Sequence, residues 1–352
     1  MQILVPNLPN PNLLASSYAR AFEALGHEVV QINPMVTLER DPLLRNRITR
    51  RLLERWRLER NVPALLKQLL AHDVDMIWVS KGQWSVPALW RAYKAARPET
   101  VLVCYNSDDP VTTYSRGGNA PWVTETIGSY DLFGTFKPDI LQALKDHGAP
   151  EVYLQLFAWD PDILPRAETT TLDHDLLFLA NGDDFRQQWL IDILSDPRTQ
   201  DWKIGIYGHW PRSGHARLDA LTQPMPYQQD QIPQTIANAV VSLNILRQQN
   251  ISNHNLRSFE IPGAGGLCLS QYTDQIGAVF PRDEAALYFD TPEDAVTQVL
   301  RVKQDPTLRH KMVARAGQIV RDHTFKARAD ALLKRVSQLN QNDLGLILGS
   351  SS

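Results

Sequence analysis

The sequence predicts an α/β protein of two doubly wound domains, each a parallel sheet covered by helices on both faces. Three observations carry this. A length of 352 residues is about two domains' worth. Short apolar strands alternate with helical spacings twice along the chain. Between the two series, 158–171 holds Pro161, Pro165, charged residues and three consecutive threonines, the composition of a linker. The expected parts are therefore an N-terminal Rossmann-like domain over 1–160, a C-terminal one over 161–325, and a returning helix with a tail over 326–352.

The elements follow in order. Residues 2–5 form a short strand stopped by Pro6, Pro9 and Pro11. Ala15, Tyr18, Ala19, Phe22 and Leu25 then repeat with helical spacing, and Gly26 supplies the stop. A second strand over 27–32 completes a βαβ opening, whose crossover must be right-handed. Buried strands are expected again over 76–79, 101–105, 132–136 and 152–156. Beyond the linker, the wholly apolar run 176–180 reads as a central parallel strand. A helix over 186–194 and strands over 202–207, 239–246, 266–269 and 286–289 follow. Helices over 292–303 and 306–320 each open with proline. The last helical stretch, 326–339, is expected to pack back on the first domain.

Composition narrows the function. Hydrophobic residues at 43% and charged ones at 21% describe an ordinary globular chain, not a disordered or fibrous one. With 36 Lys+Arg against 39 Asp+Glu the net charge is −3, so nucleic acid is not an expected partner. Cys104 and Cys268 sit singly in apolar runs, too few for a disulfide framework or a Cys metal site. No apolar run approaches a bilayer span and the N-terminus lacks a signal-like pattern, so a cytoplasmic location is expected. Residues 40–60 hold eight arginines with Leu44, Ile48, Leu52 and Trp56 at four-residue spacing. This is an amphipathic basic helix, read either as a solvated face or as a peripheral membrane or anionic-acceptor contact.

Ligands of doubly wound sheets bind beyond the carboxyl ends of the strands, and two facing domains place a cleft there. The loop after the first strand, Pro6 to Pro11, has no glycine, which disfavours a dinucleotide dehydrogenase. Walker A, H-E-x-x-H and G-x-S-x-G sequences are also lacking. The richest segment is Asn253-His254-Asn255-Leu256-Arg257-Ser258-Phe259-Glu260-Ile261-Pro262-Gly263-Ala264-Gly265-Gly266. An arginine beside helix-start amides can neutralise a diphosphate. A carboxylate one turn later can accept both ribose hydroxyls, and the glycines would let backbone approach the ligand. The plainer alternative is that the glycines turn a helix into a strand and Glu260 is solvated.

That segment, followed by Leu269 and Glu284, resembles the donor-binding half of CgeB-like glycosyltransferases, which share the two-domain GT-B architecture. Pro292-Glu293-Asp294-Ala295, Asp305-Pro306, Ala316-Gly317 and His323-Thr324-Phe325 are similar to the family downstream. Tyr105-Asn106-Ser107-Asp108-Asp109-Pro110 and the stretches 139–148 and 157–161 are similar upstream. The individual motifs are degenerate; their order carries the match. The resemblance implies transfer of a sugar from a nucleotide-diphosphate sugar to an acceptor hydroxyl, with neither metal nor cofactor. It implies Glu260 on the ribose, and Arg257 with the Gly263, Gly265 and Gly266 backbone on the diphosphate. Tyr207, Gly208 and Tyr227 would frame the base, with Gly182 and Arg186 facing the sugar diphosphate. One position departs: relatives that retain configuration often carry a second glutamate where this chain has Ser252.

Other candidates come from residue chemistry. Asp108 and Asp109 end an apolar strand, where a carboxylate could deprotonate the acceptor or simply cap a turn. His254, Asn255 and His209 are candidates near phosphate, and Lys81 near acceptor or donor phosphate. Asp183-Asp184 are adjacent rather than alternating, so no metal site is expected. The rival readings are a non-catalytic nucleotide-sugar-binding protein and a nucleotide-sugar epimerase or phosphorylase on the same fold.

Overall fold

The computed structural model describes residues 1–6, 14–36, 47–111, 120–225 and 231–349, with backbone only for 47–52 and 340–349. The chain divides into two compact units, Met1–Leu156 with Phe325–Ser352, and Phe157–Thr324.

The first unit is built on strands β1 (Gln2–Pro6), β2 (Glu28–Ile32), β3 (Met76–Ser80), β4 (Val101–Asn106), β5 (Leu132–Thr135) and β6 (Glu151–Leu154). They pair in the order β2-β1-β3-β4-β5-β6, all parallel. Every residue of β4 is buried, as a strand covered on both faces requires. Helices α1 (Leu14–Ala24), α2 (Arg47–Arg60), α3 (Val62–Leu70) and α4 (Pro87–Ala96) lie among the strands in sequence. Gly26, at φ +84°, turns α1 into β2. Ile77, Leu102, Phe133, Trp90 and Tyr93 belong to the core of this unit. The closing helix Phe325–Gly349 returns here: Phe325 meets Tyr18 edge-on at 5.4 Å, and Arg328 Nε donates to the Leu156 carbonyl at 3.2 Å.

The basic helix forms, but Trp56, the one residue of the expected stripe whose side chain is described, is not on its buried side. Trp56 is 48% exposed, with the Arg60 guanidinium 5.2 Å over its ring, while Arg57 and Leu58 are buried. A long arginine stem can cover apolar surface as well as a ring does, so spacing alone misassigned the face. Leu44, Arg40 and Arg45 lie outside the described residues. Among the described residues no helix is long and apolar enough to cross a membrane.

The second unit contains β7 (His174–Leu179), β8 (Ile204–Tyr207), β9 (Thr222–Gln223), β10 (Ala239–Asn244), β11 (Cys268–Gln271) and β12 (Leu287–Phe289). Their order is β12-β11-β10-β7-β8-β9, again all parallel. The two-residue β9 has too little sequence to show any alternation. Helices α5 (Asp184–Ser195), α6 (Arg257–Ala264), α7 (Pro292–Gln304) and α8 (Pro306–Val320) accompany these strands. Side-chain caps from Asp183, Thr291 and Asp305 start α5, α7 and α8. The buried Arg309 of α8 donates to the carbonyls of Ala237, Ala239 and Val240 and so ties its helix to β10. Strand order reverses between β7 and β10, which makes the carboxyl ends of these two strands the switch point where such sheets bind ligands.

Candidate donor site

The sequence brings two charged side chains of α6 to that switch point. Arg257 and Glu260 are one turn apart on one face of the helix. Arg257 Nε donates to the Leu179 carbonyl, the last of β7, at 3.0 Å, and its Nη1 lies 2.6 Å from Glu260 Oε2. Both side chains remain partly exposed, at 25% and 20%. Ser258 N bonds Asn255 O at 3.2 Å, and Phe259 N and Glu260 N bond Leu256 O at 3.0 and 3.1 Å, so it is the positive end of the α6 dipole that adds to the charge of Arg257. Helix start, guanidinium and carboxylate together can receive an anion flanked by hydroxyls.

The other cations at this edge divide differently than expected. Arg186 is 7% exposed and bridges the loops after β7 and β10, donating to Asn181 O at 3.2 Å and Ile245 O at 3.0 Å. Burial pushes its pKa down to about 10, against the opposing pull of Asp183. Arg186 therefore fixes loop geometry instead of facing the diphosphate, because the carbonyls it satisfies would otherwise be buried unpaired. Arg247, which sequence reasoning passed over, lies just past β10 with half of its side chain exposed. Its Nε is 3.8 Å from Asp183 Oδ2, and Arg186 Nε is 3.7 Å from the same oxygen. With guanidinium groups on two sides, and its other oxygen capping α5, Asp183 faces cations of the protein itself.

Gly182 and Gly208 hold the neighbouring loops together. Gly182 N donates to His209 O at 2.9 Å, and His209 N to Asn181 Oδ1 at 3.0 Å. Gly208 has φ +147°, and a Cβ there would run into the Ala180 carbonyl. The Tyr207 side chain turns the other way, its hydroxyl 3.4 Å from His174 Nε2 at the amino end of β7. Its ring thus does not frame a base at the carboxyl edge; the small Gly205 between them leaves the ring room to lie back. Tyr227 lies outside the described residues.

The glycine run behaves as the plainer alternative had it. Gly263, Gly265 and Gly266 sit at the far end of α6, about 9 Å of helix beyond Arg257 at ~1.5 Å per residue. A Cβ on Gly263 would enter the Trp159 indole, one on Gly265 would meet the Ala167 carbonyl, and one on Gly266 would meet Ile236. Gly265, at φ +95°, ends the helix in the left-handed conformation. Protein fills the space a ligand was expected to use, so these residues are corrected from diphosphate contacts to packing and turn positions.

His254 and Asn255 prepare the start of α6. His254 is fully buried; Phe157 N donates to its Nε2 at 3.0 Å and its Nδ1 is 2.5 Å from Gln275 Oε1. With both ring nitrogens engaged, it is a support and not a phosphate contact. Asn255 Nδ2 donates to Asn244 Oδ1 at 2.7 Å, while Asn255 Oδ1 accepts from Ser258 N at 3.2 Å. Asn244 Nδ2 in turn reaches Ser258 Oγ and Ser270 Oγ, which locks the helix start to the ends of β10 and β11.

In the first unit, the carboxyl edge of β3, β4 and β5 gathers two lysine–aspartate pairs. Lys81 Nζ lies 2.6 Å from Asp108 Oδ2, and Lys137 Nζ lies 3.3 Å from Asp109 Oδ2. Lys81 has φ +61°, a left-handed conformation that costs energy outside glycine and is common at functional sites. Asp109 also accepts from Val111 N at 3.0 Å, the local turn that its Asp-Asp-Pro sequence allows.

Residues 186–334 match the family described as glycosyl transferase-like. No curated protein matches the chain. Among solved structures it is similar to sucrose-phosphate synthase from Thermosynechococcus elongatus, with 12% identity and a TM-score of 0.66 over 97% of this chain and 99% of that one. It is also similar to trehalose-6-phosphate synthase, with 11% identity and a TM-score of 0.64 over 96% and 99%. A third is the pneumococcal O-GlcNAc transferase GtfA in complex with UDP and GlcNAc, with 12% identity and a TM-score of 0.52 over 79% and 59%. The chain has the two-domain GT-B fold, and its second unit carries the glycosyl transferase-like match.

In this fold, Arg257 and Glu260 meet at the switch point, and Arg186, His254 and Asn255 surround them as supports. Two residues escaped sequence reasoning for identifiable reasons. Arg247 is the first cation after the apolar strand beside the switch point, a signal readable only once strand order is known. Lys137 follows β5 at an edge that the sequence places nowhere near Asp109.

Proposed function

We propose that this protein is a glycosyltransferase that moves a sugar from a nucleoside-diphosphate sugar to an acceptor hydroxyl without a metal ion. The observation that carries the reading is the Arg257–Glu260 pair at the start of α6, beside the carboxyl ends of β7 and β10. Arg257 and Arg247, with the positive end of the α6 dipole, would hold the departing diphosphate, and Glu260 the ribose hydroxyls. Asp108, with Lys81 against it, is our choice for the base that takes the acceptor proton, and Asp109 the alternative. The UDP complex of the similar GtfA supports the donor class. The order of the sequence motifs supports a place near the CgeB-like members, and a cytoplasmic reaction. Arg60 and exposed Trp56 on α2 support the basic helix as a contact for an anionic acceptor or membrane surface.

A panel of UDP, GDP and ADP without magnesium tests the donor part. A ligand that binds only the folded state must raise the melting temperature. One of the three should do so, and Arg257→Ala should abolish the shift; a shift that requires magnesium would contradict the metal-free part. The second reading, donor binding without transfer, is favoured by one observation: each carboxylate that could act as base already faces a lysine. Release of sugar from a labelled donor, lost in Glu260→Ala, distinguishes transfer or hydrolysis from mere binding.

A further inference from the structure

The helix that starts the donor site is held along one side by the two segments through which the chain enters and leaves the second unit. Phe157, the first residue of that unit, donates its N–H to His254 Nε2 at 3.0 Å. The Nε2 atom must therefore carry a lone pair, which places the proton on Nδ1 and directs it to Gln275 Oε1. The imidazole is thus neutral, with one tautomer selected. Its ring meets Phe157 edge-on at 5.5 Å and Phe259 of α6 at 5.5 Å. Phe259 also packs at 5.5 Å on His323, next to the last residue of the unit. Trp159 N donates to His323 O at 2.9 Å, Trp159 bridges to Thr324, and its indole fills the space over Gly263. The crossing segments are thereby paired with each other and hold α6 at Phe259 and Gly263, and the residue His254 just ahead of it.

We infer that His254 is a positioning residue for nucleoside-diphosphate binding: through its Nε2 bond to Phe157 it fixes where the first turn of α6 and its Arg257 stand. This rests on the donor-site reading above. His254 stands three residues before Arg257, so a shift of its backbone moves Arg257 and the first turn of α6 directly. Its side chain touches no donor; the effect passes through the helix start.

Two substitutions separate a hydrogen-bonding role from simple packing, because they fail in opposite ways. His254→Phe keeps a ring for Phe157 and Phe259 and removes both nitrogens, and with them the Nε2 acceptor of the Phe157 N–H. His254→Gln loses the ring but can carry its amide oxygen to where Nε2 stood. Calorimetry on the full chain with UDP, GDP and ADP, at a temperature where circular dichroism shows each variant folded, gives the dissociation constants. The expected result is at least tenfold weaker binding in His254→Phe and recovery to within about threefold of wild type in His254→Gln. Nitrogen-15 spectra of the wild-type imidazole should show Nδ1 protonated and Nε2 bare. Binding by His254→Phe equal to wild type, or the reverse order of the two variants, overturns the inference while leaving the donor site intact. Failure of the wild type to bind any of the three overturns the reading of the site itself, and this inference with it.

Discussion

Arg257 Nη1 lies 2.6 Å from Glu260 Oε2, so two side chains expected to hold different parts of one donor hold each other. The pairing keeps a guanidinium and a carboxylate oriented at the start of α6 at little entropic cost on binding. A diphosphate would compete for Arg257, and a ribose for the second oxygen of Glu260.

Glu260→Gln keeps shape and one acceptor but loses the charge-assisted bonds. A hydrogen bond to a charged group contributes about 1.5–3 kcal/mol, so the nucleoside diphosphate should bind roughly 10- to 100-fold more weakly. Calorimetry measures this, and unchanged affinity would remove Glu260 from the site.

Gly263→Ala tests the correction of the glycine run. Its Cβ would enter the Trp159 indole, so overpacking should lower stability by about 1–3 kcal/mol. Donor affinity, measured where the variant is folded, should stay as in wild type. A loss of affinity with unchanged melting temperature would restore these glycines to the ligand.

Lys81 and Asp108 should act together in turnover. Asp108→Asn is expected to lower kcat by about 100-fold or more, the usual contribution of a general base. Lys81→Ala should lower kcat less than this, with the double variant no worse than Asp108→Asn alone. Donor affinity should be untouched in both, since neither residue lies in the unit that carries Arg257 and Glu260. Full activity in Asp108→Asn would transfer the role to Asp109.

His174 gives the fold an acid-sensitive limb. Burial holds its imidazole pKa below the ordinary value, and its Nδ1 is buried with no hydrogen-bond partner. The unfolded chain therefore takes up this proton at higher pH than the native one. Its contribution is complete above the unfolded value of about 6.5 and is lost as pH falls from there toward the lowered native value. Melting temperatures of His174→Phe should fall less steeply than wild type across that window. Parallel slopes would show that His174 is not the group responsible.

The two thiols should be inert in the native protein. Cys104 and Cys268 are both buried and free, and burial pushes the Cys268 thiol up to about 12 and raises that of Cys104 further. Iodoacetamide at pH 8 should label neither until denaturant is added. Mass spectrometry of the labelled native protein decides the point.

The alternation of apolar runs with helical spacings determined the parallel sheets, since strands such as β4 and β7 are buried on both faces and must read as continuous hydrophobic stretches. It also determined the Arg257–Glu260 pair, because residues three apart on a helix share a face whatever the helix packs against. Strand order was beyond local pattern. Only the folded sheet showed that β7 and β10 are neighbours, which brings Arg247 and Asp183 together and commits Arg186 to the carbonyls of two loops. Nor could the sequence say what occupies the space above a glycine. That depended on Trp159 and Ala167, some hundred residues earlier, and a missing side chain makes room for protein as readily as for ligand. Local chemistry sets which residues are able to bind; long-range packing sets which of them are left free to do so.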